Sequence, residues 1–239
     1  MAALVKKPEK HTSDKSIRVV LFIAFLKVRN WVTKKLSFHR RIANHNYVVK
    51  TIGLFGGSFD PVHTGHLLVA QAAIEELSLA RLFFIPAAQS PFKTDSKLAE
   101  SAIRLRLLRL ALAGRANCEI DEQELQRGGV SYTIDTLRDY TKRFPHARLF
   151  YLIGADNVAK LNEWREAPEL AKLAEFVAIP RPGQDAVSFP VPFHGRMLRG
   201  FPFGVSSSEI RARIKAGQPI NHLAPSTVAE AIQGSGLYR

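Results

Sequence analysis

Residues 53–66 read GLFGGSFDPVHTGH, and this segment decides the fold. It follows an apolar run at 51–55 and precedes an apolar-periodic stretch at 67–77, so it predicts a strand, a glycine-rich loop and a helix in that order. Such an arrangement brings phosphate groups to a helix N-terminus. Gly56 and Gly57 carry no side chain that would hold a ligand away from the backbone N–H groups.

His63 and His66 lie three residues apart at the predicted loop–helix junction. Residues at this spacing share one side of a helix, so both imidazoles can face the space above the strand. Imidazole N–H groups suit hydrogen bonding to oxygens that gain charge in phosphoryl or nucleotidyl transfer. A glycine pair alone indicates only a turn, and one histidine only a surface or core residue. The full combination is much rarer, and it predicts a site that handles phosphates.

The rest of the body alternates predicted strands and helices. Strands are expected at 81–86, 118–121, 148–153 and 175–180, one more within 181–204, and helices at 101–113, 132–143, 157–162, 168–174, 207–216 and 225–233. Ser101 is the expected N-cap of its helix. This order predicts an α/β fold, a Rossmann-like doubly wound parallel sheet with helices on both faces. Ligands bind such sheets beyond the carboxyl ends of the strands.

Residues 204–211, GVSSSEIR, form the second informative segment. Serines before a helix cap its free N–H groups, which accounts for Ser206 or Ser207 alone. A capped helix does not need Arg211 one turn further on. Hydroxyls, N–H groups and a guanidinium together suit the β- and γ-phosphates of a nucleotide, and we favour this interpretation.

The charge of the chain is concentrated at its beginning. The net charge is +13, but residues 1–50 hold 12 Lys and Arg against Glu9 and Asp14, and the remainder is close to neutral. The basic pI therefore does not predict nucleic-acid binding by the body. A single cysteine, Cys118, excludes an internal disulfide and a CxxC metal site. A reducing cytoplasm is the expected compartment.

Composition divides the chain into a basic extension, residues 1–50, and a domain at 51–239. The apolar run at 17–26 is about half the length that spans a bilayer. The extension could be disordered, could lie on an anionic membrane as a basic amphipathic helix, or could reflect a start codon placed too far upstream. We favour the last explanation, because the first predicted strand begins only at Thr51. No stable membrane association is expected, and the sequence leaves self-association open.

These motifs resemble the nucleotidyltransferase superfamily with the H-x-G-H signature. The string GGSFDPVHTGHL at 56–67 is similar to its nicotinate-nucleotide adenylyltransferase branch. Further similar positions are Glu124, Arg127, Gly129, SYTIDTL at 131–137, GAD at 154–156, Trp164, and 205–211, where the family carries I-S-S-T-x-I-R. The similarity runs from about Ile52 to Tyr238 and has no counterpart in residues 1–50.

The resemblance implies transfer of the adenylyl group of ATP to nicotinate mononucleotide, giving deamido-NAD and pyrophosphate. The implied catalytic residues are His63, His66, Lys93 and Arg211. The expected ATP-binding residues are Gly56, Gly57, Ser58, Phe59, Gly65, Gly154, Asp156, Ser206 and Ser207. The resemblance also implies that backbone N–H groups near Thr133 face the pyridine carboxylate and that Trp164 stacks on the ring. Phe92 stands where relatives commonly have histidine, and Arg165 where they often have an aromatic residue.

The residues predict no protein nucleophile, because Cys118 lacks an adjacent motif histidine. Catalysis would then rest on positioning and charge stabilisation, with Mg²⁺ arriving mainly with ATP, since no dense carboxylate cage is visible. For Asp156 the spacing leaves ribose binding and helix capping open. The alternatives are nicotinamide mononucleotide or phosphopantetheine adenylyltransferase, or a non-catalytic nucleotide-binding module.

Overall fold

A computed structural model describes residues 51–91, 98–201 and 203–239. The extension at 1–50 lies outside the described residues, so the division into two domains stays a prediction. Within the described part, no helix is long and apolar enough to cross a membrane.

Within the described ranges, six parallel strands form one sheet in the order β3-β2-β1-β4-β5-β6. The strands are β1 (Thr51–Gly57), β2 (Arg81–Pro86), β3 (Cys118–Ile120), β4 (Arg148–Gly154), β5 (Glu175–Ile179) and β6 (Gly195–Met197). In the central register Phe55 pairs with Phe84 on one side and Leu152 on the other. The strand order reverses between β1 and β4, and the loops that follow these two strands diverge there. The predicted Rossmann-like parallel sheet is confirmed.

Helices cover both faces of the sheet. They are α1 (Thr64–Glu76), α2 (Ser101–Leu112), α3 (Gln123–Arg127), α4 (Thr133–Arg143), a 3₁₀ helix (Ala155–Glu163), α5 (Ala167–Leu173), α6 (Ser207–Lys215) and α7 (Ser226–Ser235). The short α3 was not predicted. The segment expected to be helical at 157–162 is the 3₁₀ helix. Ser101 is not the N-cap of α2, because Glu100 occupies that position and the Ser101 hydroxyl instead accepts a hydrogen bond from Arg104.

Two apolar layers result from the alternation of side chains along the strands. Phe55 and Phe84 belong to the layer that packs with α1, α2 and α7, whereas Leu54 and Phe83 belong to the layer beneath α4 and α5. Strands buried on both faces are expected to be continuously apolar, which is what β1, β2 and β4 show. Because all six strands are parallel, the loops after them meet at one edge, and this edge carries the candidate site.

Candidate active site

A buried arginine supports the loop that follows β1. Arg104 lies in α2 and is 1% exposed. Its Nη1 donates to the carbonyl oxygen of Ser58 at 2.7 Å, and its Nε donates to the carbonyl of Ala99 at 3.0 Å. Burial lowers the pKa of this guanidinium, and the nearby Asp60 carboxylate opposes that effect. A buried cation that satisfies backbone carbonyls fixes the start of the loop.

Phe59 is a core residue within this loop. Its backbone has φ = 46°, a conformation that is uncommon for residues other than glycine, and its ring is 1% exposed. The ring packs edge-on against Phe55 with a 5.5 Å centroid separation, and it lies 5.0 Å from the His66 ring. The ring of Phe59, a residue predicted to bind ATP, is therefore buried under the loop backbone, where it supports the imidazole of His66.

The two motif histidines lie in contact at the start of α1. Their ring centroids are 3.8 Å apart with an interplanar angle of 33°. The backbone N–H of His63 donates to Nδ1 of His66 at 3.2 Å. Because that Nδ1 accepts, a neutral His66 carries its proton on Nε2, which can then donate to another group.

Burial keeps both imidazoles neutral. His63 is 7% exposed, and its desolvation lowers its pKa to about 4. Desolvation, followed by the influence of His63, lowers the pKa of His66 well below its ordinary value. Neutral imidazoles can donate hydrogen bonds at neutral pH without burying a charge.

Gly65, between the two histidines, is required by the packing of His63. A Cβ atom at this position would lie 2.9 Å from His63 Nδ1 and 3.0 Å from its Cε1. A side chain would therefore displace the imidazole. Gly56 has a comparable reason, since a Cβ there would lie 2.6 Å from the hydroxyl oxygen of Tyr151. At both positions, packing within the protein itself requires a residue without a side chain.

The start of α6 docks on the same loop. Ser206 is the N-cap of α6, and its hydroxyl accepts from the backbone N–H of Glu209 at 3.1 Å. Ser207 donates its hydroxyl to the carbonyl of Pro61 at 2.9 Å. The capping interpretation of Ser206 therefore holds in this structure, while Ser207 joins the helix to the loop.

Arg211 lies one turn into α6 and reaches across to the loop. Its Nη1 donates to the carbonyl oxygen of Asp60 at 2.5 Å, and its Nη2 donates to the Ser208 hydroxyl at 3.2 Å. The side chain is 32% exposed. The structure thus brings Arg211 and Ser207 into contact with the loop that carries His63 and His66.

A cavity of about 230 Å³ opens on the opposite side of the loop, at the switch point between β1 and β4. Its lining includes Gly56, Gly57, Ser58, Thr133, Gly154 and Trp164 among the predicted site residues. A second cavity of about 280 Å³ adjoins it at Thr133 and Trp164 and is also lined by Tyr132, Glu163 and Arg165. Residues predicted to bind ATP and residues predicted to bind the mononucleotide therefore share one concave surface.

Aromatic and hydroxyl groups shape this surface. Trp164 packs edge-on against Tyr151 and Phe176, with ring centroids 6.4 and 6.1 Å apart. Thr133 donates its hydroxyl to the Tyr151 hydroxyl at 3.3 Å, which places the beginning of α4 against the cavity wall. Burial raises the pKa of Tyr151, so this phenol stays neutral.

Glu124 is a buried acid in the cavity wall. It is 4% exposed, and its Oε1 accepts from the Thr136 hydroxyl at 2.7 Å. Desolvation raises the pKa of this carboxyl, against the opposing effect of hydrogen bonds from Thr136 and Ser131. The sequence marked Glu124 only as part of a family pattern, and the structure shows that it ties α3 to α4 beneath the cavity.

One further predicted residue, Asp156, has different surroundings. Asp156 does not cap the 3₁₀ helix, whose N-cap is Gly154, and it pairs instead with Arg181 at 2.6 Å. Lys93 lies outside the described residues, as does Phe92. In the described ranges, no group of three or more His, Cys, Asp or Glu side chains is arranged to hold a metal ion.

Sequence reasoning missed three residues that hold the loop in place, namely Asp60, Arg104 and Tyr238. A signal existed for Arg104, because it lies four residues before Leu108 on the apolar side of α2. A charged residue on that side of a helix indicates a buried partner. Asp60 and Tyr238 are 178 residues apart in the chain, and no local pattern connects them.

Comparisons with known proteins agree with this geometry. Residues 54–213 match the cytidylyltransferase-like family. A protein of Thermus thermophilus named "Probable nicotinate-nucleotide adenylyltransferase" is 41% identical over 188 residues, covering 79% of this chain and 99% of the relative. A protein of the same name from Desulfitobacterium hafniense is 35% identical, covering 82% of this chain and 99% of the relative.

Solved structures share the fold. The Plasmodium falciparum nicotinic acid mononucleotide adenylyltransferase complexed with NaAD superposes with a TM-score of 0.65 and 21% identity, covering 79% of this chain and 97% of that one. The same enzyme complexed with APC gives a TM-score of 0.63. Because of the family match over residues 54–213 and the identity to these relatives, the chain belongs to the nicotinate-nucleotide adenylyltransferase family of cytidylyltransferase-like proteins.

Proposed function

We propose that this protein transfers the adenylyl group of ATP to nicotinate mononucleotide, producing deamido-NAD and pyrophosphate in NAD biosynthesis. An oxygen of the mononucleotide's 5′-phosphate attacks the α-phosphorus of ATP and forms the new O–P bond. The bond from that phosphorus to the oxygen bridging to the β-phosphate breaks, and pyrophosphate leaves. No covalent enzyme intermediate is needed, so catalysis is positioning and charge stabilisation.

The observation that carries the proposal is the contact between His63 and His66 at the start of α1, in a chain of this family. Both imidazoles are neutral, and the Nε2 proton of His66 is available because its Nδ1 accepts from the backbone. His66 donates to the α-phosphate and the departing bridge oxygen as they gain charge, with His63 beside it.

Cations neutralise the pyrophosphate. Arg211 at the start of α6 has donors beyond the two that it uses within the protein, because a guanidinium offers five N–H groups. Lys93 is the second proposed cation. The hydroxyls of Ser206 and Ser207 already serve the helix and the loop, and their oxygens can still accept hydrogen bonds. We propose that this part of the loop receives the β- and γ-phosphates.

The cavity receives the nucleosides. Gly56, Gly57, Ser58 and Gly154 line the cavity and offer close backbone approach to ATP. Asp156, two residues after Gly154, is the proposed acceptor for the ribose hydroxyls of ATP. Trp164 stacks on the pyridine ring of the mononucleotide, and the N-terminus of α4 at Thr133 faces its carboxylate. A helix N-terminus favours an anionic acid over a neutral amide, which supports nicotinate as the substrate.

Mg²⁺ enters with ATP in this proposal. The acidic residue of the loop, Asp60, is 1% exposed and already accepts from Tyr238, so it is poorly placed to hold a metal ion. Bound to the phosphates, the ion would supply charge neutralisation. ATP, nicotinate mononucleotide and Mg²⁺ are therefore the proposed ligands, and the cytoplasm is the proposed location.

Residues 1–50 are proposed to contribute nothing to the chemistry. Mass spectrometry of the native N-terminus tests whether translation starts at Met1, and deletion of residues 1–47 tests the activity of the remainder. We expect the shortened protein to turn over like the full chain. A shortened protein that forms no dinucleotide would contradict this assignment.

One assay tests the function directly. Purified protein with ATP and Mg²⁺ is given nicotinate mononucleotide, nicotinamide mononucleotide or phosphopantetheine, and pyrophosphate release is followed with each acceptor. We expect the highest kcat/KM with the nicotinate compound. Faster turnover of the amide or of phosphopantetheine would reassign the acceptor, and ATP binding without pyrophosphate release from any of them would indicate a non-catalytic nucleotide-binding module.

A further inference from the structure

Tyr238, which follows helix α7, is anchored at the candidate active site. Helix α7 ends at Ser235, and Gly236, with φ = 67°, turns the chain back. Tyr238 follows with φ = 69°, which is uncommon for a residue with a side chain. The Tyr238 hydroxyl donates to Oδ1 of Asp60 at 2.6 Å, and this bond ties the segment after α7 to the loop after β1.

Asp60 is a buried carboxylate between two arginines. On one side Arg104 is held by three hydrogen bonds, to Ser58, Ala99 and Ser101. On the other side, Nη1 of Arg211 lies 3.9 Å from Oδ2 of Asp60, while its hydrogen bond goes to the backbone carbonyl of the same residue. The hydrogen bond from Tyr238 is thus the shortest contact that the carboxylate makes among the described residues.

Loss of the Tyr238 hydroxyl would leave Asp60 short of a partner. A buried carboxylate without sufficient hydrogen bonds attracts the nearest available cation. Arg104 is held by three bonds, whereas Arg211 needs to move only about 1 Å to form a direct ion pair. The guanidinium proposed to neutralise pyrophosphate would then be held by the protein.

We propose that Tyr238 is a positioning residue for ATP: by satisfying Asp60, it leaves Arg211 available to the triphosphate. This inference rests on the proposed function, which assigns Arg211 to the phosphates. Tyr238 itself touches neither substrate. Its effect reaches ATP through Asp60 and Arg211, so it should change the KM for ATP and leave the KM for the mononucleotide unaltered.

The test compares two tyrosines with the same kind of partner. Tyr140 donates to Asp121 at 2.7 Å beside Arg143, which gives a second tyrosine–aspartate–arginine group that contains no residue of the loop. Tyr238→Phe and Tyr140→Phe each remove one buried phenol–carboxylate hydrogen bond. We expect Tyr238→Phe to raise the KM for ATP about tenfold, because the loss of one hydrogen bond to a charged group weakens binding by about that factor. Tyr140→Phe should lower the melting temperature and leave the KM for ATP unchanged.

A second pair of variants tests whether the effect of Tyr238 on ATP passes through Asp60. In Asp60→Asn the buried charge is absent, so adding Tyr238→Phe should change the KM for ATP by no more than about twofold. This double variant also serves if Tyr238→Phe alone is too unstable to assay, because removing both partners of a buried pair costs less than removing one. Its KM for ATP should then be close to that of the wild type.

The outcomes separate this inference from the function on which it rests. A tenfold rise in the KM for ATP in Tyr238→Phe alone, abolished when Asp60→Asn is also present, supports it. An active wild type with equal effects of the two Phe variants on the KM for ATP overturns it, as does a rise that persists in the double variant. A wild type that releases no pyrophosphate with any acceptor overturns the proposed function and this inference with it.

Discussion

The loop between β1 and α1 has two differently built sides. On one side lies the cavity, whose walls are aromatic rings, hydroxyls and glycine backbone, with Glu124 as its buried acid. On the other side lies a charged group formed by Asp60, Arg104 and Arg211. The first side has the shape and polarity for flat rings and sugars, and the second has the charge for phosphates. The loop between them can therefore position rings and sugars on one side relative to phosphates on the other.

The two sides also differ in how their buried charge is satisfied. Glu124 in the cavity relies on hydroxyl donors with Arg127 nearby, and its pKa is raised by burial. Asp60 relies on a phenol and is flanked by two guanidinium groups. Hydroxyl donors leave a cavity nearly neutral, whereas the partly exposed guanidinium of Arg211 can exchange a protein partner for a ligand phosphate. We infer that the phosphate side is the one that changes its contacts when substrate binds.

The largest expected effect comes from His66 on the phosphate side. His66→Ala removes a preorganised donor, so we expect kcat to fall by about 10²–10³ with the fold intact. The measurement is pyrophosphate release together with a thermal unfolding curve. His146→Ala, at an exposed turn after α4, is the matched control and should leave kcat unchanged. Near-normal turnover of His66→Ala would remove the histidine pair from the mechanism.

Acid should destabilise the protein through the same histidines. Because burial holds the pKa of His63 at about 4 in the folded state, against about 6.5 unfolded, the unfolded state binds more protons between these values. The free energy of unfolding should therefore fall as pH drops from 6.5 to 4, by up to about 3 kcal/mol from His63.

Denaturant unfolding at pH 7 and pH 5 measures this effect. His63→Asn removes the titrating group, so the loss of stability between the two pH values should be smaller in that variant. An equal loss in the wild type and in His63→Asn would show that the imidazole of His63 is not held neutral by burial.

On the cavity side, Trp164 should affect only the KM for the mononucleotide. Trp164→Ala removes a ring stacking worth about 1 kcal/mol, so we expect the KM for nicotinate mononucleotide to rise about fivefold with the KM for ATP unchanged. Trp164→Phe keeps an aromatic face and should recover most of the loss. A parallel rise in the KM for ATP would show that Trp164 also shapes the part of the cavity proposed to receive ATP.

The smallest expected effect concerns Arg165 at the mouth of the cavity. Its guanidinium lies 4.7 Å from the centre of the Tyr132 ring, and its side chain is 55% exposed. An exposed cation near an anionic ligand is worth a fraction of a kcal/mol, so Arg165→Gln should lower the preference for acid over amide about twofold. Assays at low and high salt measure it, because the difference should shrink with added salt. An unchanged ratio of kcat/KM values would exclude Arg165 from substrate selection.

Much of the fold and part of the site could be predicted from local pattern. Apolar runs predicted β1, β2, β4 and β5, because buried parallel strands are short apolar segments. The two edge strands are short and less buried, and for β6 only the range 181–204 was predicted. Periodicity missed α3, whose five residues are too few to show a period. For Ser206 the sequence offered capping beside the favoured phosphate role, and the cap could be recognised because capping depends only on the next three residues. The role of Ser101 was mistaken, because Arg104 competes for its hydroxyl.

By itself, the sequence determined the parallel α/β sheet, the loop at 56–66 with its histidine pair, and the family to which the chain belongs. Only the tertiary structure decided that Gly65 makes room for the His63 ring, that Arg104 holds Ser58, and that Tyr238 satisfies Asp60. The physical reason is the range of the interactions. Helices, strands and caps depend on neighbours a few residues away, whereas a buried charge takes whichever partner the packing brings near.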